Sequence, residues 1–223
     1  MSGHVAANSQ TKRPFVPGMG VDWLLPLYDP ITTLLGLGRA RQELLRQAEL
    51  RPGDRVLDIG CGTGSLVVLT KTSYPSVDVV GVDPDDRALA RAARKARRAN
   101  ASIQLHRGFS DALEYPDGTF DRVLSSFMFH HLGREEKART LREVRRVLRA
   151  DGSLHLLDFG GGDSEGRRSR LPRLHSHHRL SDNDACTILG LLEHAGFVSP
   201  TKTREHAVLG GFARTVYYRA GGR

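Results

Sequence analysis

Arg55-Val56-Leu57-Asp58-Ile59-Gly60-Cys61-Gly62-Thr63-Gly64 is the stretch that decides the fold. Val56, Leu57 and Ile59 form an apolar, β-type run that stops abruptly in a loop with glycine at every second position. Ser65-Leu66-Val67-Val68-Leu69 follows and suits a helix. A strand that turns through glycines into a helix lets backbone N–H groups approach a ligand, because no Cβ stands in the way. Spacing separates the ligand classes that use such a turn. A phosphate-cradling GxxxxGK[ST] loop is excluded, since no Lys follows Gly64. A dinucleotide fingerprint needs a further Gly at position 65, which is Ser. What remains is D-x-G-x-G-x-G, with the acid Asp58 inside the strand.

Downstream the chain alternates. Asp78 to Asp83 is a strand ending in an acid, and Pro84 suits the first position of the next helix. Leu89, Ala92, Ala93 and Ala96 mark that helix's buried face, with Arg91, Arg94, Arg97 and Arg98 outside. Ile103 to His106 and Asp121 to Ser126 are the third and fourth strands. Ala138, Leu141, Val144 and Leu148 line a helix stopped by Asp151-Gly152, and Ser153 to Phe159 is the fifth strand. Asn183 to Ala195 is helical and ends at Gly196. Thr201 to Leu209 and Ala213 to Arg219, joined by Gly210-Gly211, read as a hairpin. Upstream, Arg39 to Leu50 forms a helix with Ala40, Leu44 and Ala48 on one face. Five strands separated by helices predict a parallel α/β sheet whose strand C-termini share one edge. Gly60–Gly64, Asp83, Gly108–Ser110, Ser125–His131 and Phe159–Gly162 then converge there, where such sheets bind ligands.

At 223 residues, one α/β domain over 21–223 is the natural expectation. Residues 1–20 are polar, with Pro14 and Pro17, and read as a disordered tail without a signal-peptide stretch. No apolar run approaches the roughly 18 residues of a membrane span. A cytoplasmic protein is expected. The two cysteines, Cys61 and Cys186, make a disulfide framework unlikely to arise and exclude a Cys-based zinc site by count. The net charge of +8 suits nucleic acid, anionic membrane or an acidic substrate, or simply a solvated surface. The last reading is preferred, because the Arg residues spread along helices and form no block.

Val56 to Gly64, read as VLDIGCGTG, resembles the first motif of class I S-adenosylmethionine (SAM)-dependent methyltransferases. Leu113 to Asp121 and Ser125 to Leu132 resemble the matching stretches of the ubiquinone/menaquinone-biosynthesis C-methyltransferase group. The resemblance implies a three-layer Rossmann-like sheet, mostly parallel, of seven strands with an antiparallel C-terminal hairpin strand. It implies that Gly60, Cys61, Gly62 and Gly64 admit the amino-acid tail of SAM, while Asp58 orients the loop or accepts from the ammonium group. Without the resemblance, Asp58 is equally a strand-end acid that caps local N–H groups. Asp83, 23 residues after Gly60, is implied to hold the ribose hydroxyls, although NAD-binding sheets place an acid there too. Pro84 is implied to wall the adenine, and Ser125 to face the cofactor after the fourth strand. At position 109 the group has an acid beside the adenine amine, and this chain has Phe. Phe109 then stacks on or walls the ring, with the Ser110 N–H as a contact, or Asp111 takes over after a local shift. Tyr28-Asp29 matches a segment that closes over SAM, making 21–50 a lid.

His130 and His131 are the candidate catalytic residues. Each can act as a general base near neutral pH toward a phenol, enol or carboxylic acid, or can simply pack the turn. His175, His177 and His178 lack a carboxylate at ligand spacing, so no metal is expected. Arg167, Arg168, Arg170 and Arg173 suit an acidic substrate group or solvent. The expected reaction is in-line displacement, with an O, N or C nucleophile of a small molecule taking the methyl group and S-adenosylhomocysteine as product. Catalysis is then chiefly alignment and exclusion of water. The alternatives are an RNA methyltransferase, favoured by charge, and a non-catalytic SAM- or nucleotide-binding protein or NAD enzyme.

Overall fold

The computed structural model describes residues 37–160, 183–208 and 213–222. Tyr28 and the rest of the expected lid before residue 37, the histidines and arginines between 167 and 178, and the Gly210-Gly211 turn lie outside the described residues.

Seven strands form one sheet in the order β3-β2-β1-β4-β5-β7-β6. They are β1 (Arg55–Ile59), β2 (Asp78–Asp83), β3 (Gln104–Arg107), β4 (Phe120–Ser126), β5 (Leu148–Phe159), β6 (Val198–Val208) and β7 (Ala213–Gly221). The first five are parallel, and β7 runs antiparallel between β5 and β6. The described helices are α1 (Leu37–Ala48), α2 (Ser65–Ser73), α3 (Asp86–Arg98), α4 (Arg134–Val147) and α5 (Ala185–His194), with a single 3-10 turn at Phe129–His131. This is the expected mostly parallel, three-layer sheet with an antiparallel C-terminal hairpin strand. Among the described residues no helix is long and apolar enough to cross a membrane.

Strand parity explains the layers. Successive side chains point to opposite faces, so each buried strand feeds two cores. Leu57, Val80, Val82, Val123, Leu154 and Leu156 pack with Leu141 of α4 and Ile188 and Leu192 of α5. Val56, Val79, Leu124 and Leu157 pack instead with Leu44 of α1, Leu66 of α2 and Ala96 of α3. The α1 face predicted from Ala40, Leu44 and Ala48 is buried as a unit. Gln47 on the same helix bonds His155 Nδ1 at 3.1 Å and the Tyr218 carbonyl at 2.9 Å, tying α1 to β5 and β7. Burial, with Arg219 and Arg122 nearby, pushes the His155 pKa down to about 3, so this histidine stays neutral inside the sheet.

Two local expectations need correction. Pro84 is not the first residue of α3: Asp85 is the cap, accepting from the Arg87 and Ala88 N–H groups, and the helix starts at Asp86. A carboxylate cap satisfies two otherwise unbonded N–H groups, which Pro cannot do. Asp151-Gly152 is not the stop after α4 but lies within β5, which begins directly at Leu148. The β4–β5 register shifts between Phe120 and Arg122. A Cβ at Gly152 would sit 2.8 Å from the Asp121 carbonyl oxygen, so the glycine permits a close backbone approach at that irregularity.

Candidate functional site

The C-terminal ends of β1, β2 and β3 meet around Asp83. Gly60 and Cys61 donate their N–H groups to the Val82 carbonyl at 2.8 and 3.1 Å. Asp83 Oδ2 accepts from the Gly62 N–H at 2.8 Å and Oδ1 from the Asp85 N–H at 2.9 Å. Gly108 N–H reaches the Asp83 carbonyl at 3.2 Å. The loop's N–H groups at 60, 61, 62 and 64 are therefore bonded within the protein, and the glycines serve approach and conformation. Gly60 and Gly64 both have positive φ, 67° and 79°. A Cβ at Gly60 would stand 2.3 Å from Met128 Cγ, and one at Gly64 would stand 2.6 Å from Ala92 Cβ. Gly62, by contrast, faces open space. The Cys61 side chain turns inward against Gly81, and burial pushes its thiol pKa up, so only its backbone belongs to the loop surface.

Asp83 is buried, and desolvation raises its pKa despite the two N–H donors. Each of its oxygens accepts one bond, and a carboxylate offers about four acceptor positions, so two remain for a ligand diol. Asp58 is more extreme. It is 1 % exposed, and neither carboxylate oxygen has a hydrogen-bond partner. Burial raises its pKa well above the carboxylate range, with Arg41 opposing and Asp83 reinforcing. Arg41, on α1, is itself buried, carries an unpartnered Nε, and lays its guanidinium 5.3 Å from the Phe127 ring centre. Sequence reasoning passed over Arg41, although its i, i+3 relation to Leu44 on the buried face of α1 is a usable signal.

A second polar group closes β4 and β5. His130 Nδ1 is 2.6 Å from Asp158 Oδ1, and the His130 N–H donates to Asp158 Oδ2 at 2.9 Å. Asp158 Oδ1 also accepts from the Phe159 N–H at 2.7 Å. Burial alone would raise the Asp158 pKa, but the His130 charge and these hydrogen bonds hold it below the usual value. Asp158 is thus an ionised acceptor, and the His130 proton sits on Nδ1, leaving Nε2 as the basic nitrogen. The His131 ring lies 4.0 Å from that of His130, and Phe159 packs edge-on at 5.3 Å. Phe127 joins the two groups. It is held at φ 57°, a strained value for a non-glycine residue, with its N–H on the Leu157 carbonyl and its ring 4.9 Å from Phe159.

The structure brings together Asp58, Gly60, Cys61, Gly62, Gly64 and Asp83, with Pro84 next in chain. It groups His130 with Asp158, which sequence reasoning had left as an ordinary strand residue. It separates Ser125 from the glycine loop. Leu124 pairs with Asp58 in register, so Ser125, one residue on, points to the opposite face. Its hydroxyl opens into a recess lined by Phe129, Leu156, Leu157, Asp158, Asn183, Ile188 and Tyr218. Phe109 forms a small antiparallel bridge to Ala112, and the Ser110 hydroxyl bonds Thr140 Oγ1 at 2.9 Å. Asp111, the substitute acid, pairs with Arg139 at 3.0 Å. Among the described residues no cluster of His, Cys, Asp and Glu could hold a metal ion.

Residues 56–152 match the methyltransferase-domain family. The demethylmenaquinone methyltransferase of Thermus thermophilus is 36% identical over 61% of this chain and 62% of its own length. The 27-O-demethylrifamycin SV methyltransferase of Amycolatopsis mediterranei is 35% identical over 54% of this chain and 44% of its own length. The chain thus spans less than two thirds of these curated relatives. The solved YcgJ protein of Bacillus subtilis superposes with a TM-score of 0.70 at 18% identity, over 83% of this chain and 98% of that one. The resemblance read from Val56–Gly64 is borne out: residues 56–152 match a methyltransferase domain, and the sheet shares the fold of YcgJ.

Proposed function

We propose that the protein is a SAM-dependent methyltransferase acting on O, N or C of a small molecule, with residues 21–223 working as one domain. The observation that carries this reading is Asp58: a buried carboxylate without a hydrogen-bond partner, beside an open glycine loop and a second acid. A buried carboxylate whose desolvation outweighs the attraction of Arg41 is costly, and a cationic ligand group that also hydrogen-bonds relieves that cost. SAM fits the residues present. Its ammonium group suits Asp58, its carboxylate suits Arg41, and its ribose diol suits the two remaining acceptor positions of Asp83. Pro84, Phe109 and the Ser110 backbone are assigned to the adenine end, and Gly60, Cys61, Gly62 and Gly64 to the path of the amino-acid tail.

When bound, SAM supplies an electrophilic methyl group on sulfur. The chain's own work is then to bind, align and keep water out. His130, with its proton on Nδ1 and its basic Nε2, takes a proton from an acidic acceptor group such as a phenol or hydroquinone. The names of two relatives, a demethylmenaquinone methyltransferase and a 27-O-demethylrifamycin SV methyltransferase, support a small-molecule acceptor. His131 is the neighbouring alternative. A cytoplasmic site of action belongs to the same proposal, and two unpaired cysteines, one of them exposed, suit a reducing compartment.

The test is methyl transfer from tritiated SAM to a panel of hydroquinones, phenols and aliphatic alcohols, with tRNA as a separate arm. Labelled hydroquinone or phenol is the expected outcome. Labelled tRNA alone would favour the RNA reading. SAM binding with no acceptor labelled would favour a binding protein.

A further inference from the structure

Behind the His130–Asp158 pair, one small recess is lined by three residues that each carry a buried, unpartnered polar atom. Ser125 Oγ, Asn183 Oδ1 and Tyr218 OH have no protein hydrogen-bond partner, and their residues are at most 2 % exposed. Register puts two of them in one row: Ser125 pairs with Leu156, and Leu156 with Tyr218. Asn183, just before α5, reaches in from the covering layer, with its Nδ2 already committed to the Phe159 carbonyl at 2.6 Å. That bond fixes Oδ1 as the atom turned to the recess. All three residues line one cavity of about 10 Å³, and Asp158 lines it too. This is about the volume of one water site, and a water needs two to four polar partners.

We infer that the recess is a binding site for a single water molecule that ties Ser125, Asn183 and Tyr218 to Asp158, making these residues positioning groups for His130. Donors and acceptors balance. The water accepts from the Tyr218 and Ser125 hydroxyls and donates to Asn183 Oδ1. Asp158 Oδ1 already accepts two bonds and Oδ2 one, so Oδ2 has one acceptor position left for the water's second hydrogen. Tyr218 stays protonated: burial raises its pKa, and Asp158, Asp184 and Glu205 push the same way. The groups around His130 that set its charge are Asp158 on β5, His131 on its own turn and, one step behind, Tyr218 on β7. A carboxylate held on its far side keeps the imidazole from turning.

The water site stands apart from the methyl-transfer reading, and only the use made of His130 rests on it. The experiment uses the full chain without cofactor. A crystal structure is expected to show one density peak within hydrogen-bond distance of Ser125 Oγ, Asn183 Oδ1 and Tyr218 OH; no peak there would overturn the proposal. Tyr218→Phe keeps the shape and deletes one partner, so its Tm should fall by about 2–4 °C. A rise would overturn the proposal, because deleting an unsatisfied buried hydroxyl relieves a desolvation cost. The His130 Nδ1–H resonance, followed by NMR at fixed pH, should shift in Tyr218→Phe and in Ser125→Ala. An unmoved resonance in both would remove the link to His130. SAM affinity of the two variants should match the parent. Failure of the parent to bind SAM would sink the methyl-transfer reading and leave the water site in place.

Discussion

Asp58 and Asp158 are each the penultimate residue of a strand, β1 and β5, and both are almost fully buried. They titrate in opposite directions. Burial raises Asp58, and no hydrogen bond offsets it. Asp158 pays the same desolvation, yet His130 and the backbone donors hold it down. Equal burial with unequal partners is the informative difference. A carboxylate already satisfied by its own chain belongs to the framework of the site. One left unsatisfied faces what the chain does not supply. The parity of the sheet keeps the two apart: Asp58 sits with Arg41 on the α1 side, and Asp158 with the recess on the α5 side.

Substitution by Asn should break this contrast most strongly at Asp158. Removing one partner of a buried charge pair costs about 3 kcal/mol, so Asp158→Asn should lose about that much in urea unfolding at pH 7. SAM affinity should move much less. Asp58→Asn should do the reverse. It should gain about 1 kcal/mol of stability without cofactor, because the desolvation cost of this charge outweighs its attraction to Arg41, while SAM affinity drops about tenfold. Calorimetry and urea titration of both variants check the pair. If both lose stability alike, the contrast is wrong.

The pH dependence sharpens it. The unfolded value of both groups is about 3.9. Asp58 is raised on folding, so between that value and its higher folded pKa stability falls as pH rises. The gain from Asp58→Asn should therefore grow from acid toward neutral pH. Asp158 is lowered, so its contribution is present above about 3.9 and is lost as pH falls through its folded pKa. The deficit of Asp158→Asn should shrink on acidification. Unfolding free energies across pH would show the two gaps moving in opposite senses. The smallest effect is expected at Ser125, whose replacement by Ala should leave SAM affinity within about twofold, since its hydroxyl faces the recess. A tenfold loss would return Ser125 to the cofactor group.

The cofactor side was readable from residues because its signals are local. Val56 to Gly64 states a strand and its glycine loop in nine residues, with the helix directly after at Ser65, and Asp83 states an acid at the end of the second strand. The strand-and-helix alternation and the terminal hairpin were equally plain, since short apolar runs bounded by turn residues are local signals. What escaped depended on distance along the chain. Asp158 and His130 are 28 residues apart, and nothing in either stretch announces the other. Arg41 lies in a helix whose apolar face was recognised, but the strands that bury it, β5 and β7, lie far along the chain. Ser125 faces the other side of the sheet from Asp58 because parity between β1 and β4 depends on register, which the sequence does not print. Gly152 looked like a helix stop because the β4–β5 irregularity that needs it is a contact between strands.

The most direct test is calorimetry of the parent chain and of Asp83→Ala against SAM, S-adenosylhomocysteine and NAD. Asp83 holds Gly62 and Asp85 and leaves two acceptor positions open; if these take the ribose as proposed, its loss removes charge-assisted hydrogen bonds worth about 1.5–3 kcal/mol each. The parent should bind SAM and S-adenosylhomocysteine but not NAD, and Asp83→Ala should weaken SAM by about a hundredfold. Binding of NAD without SAM would contradict the account, and so would a SAM affinity unchanged in Asp83→Ala.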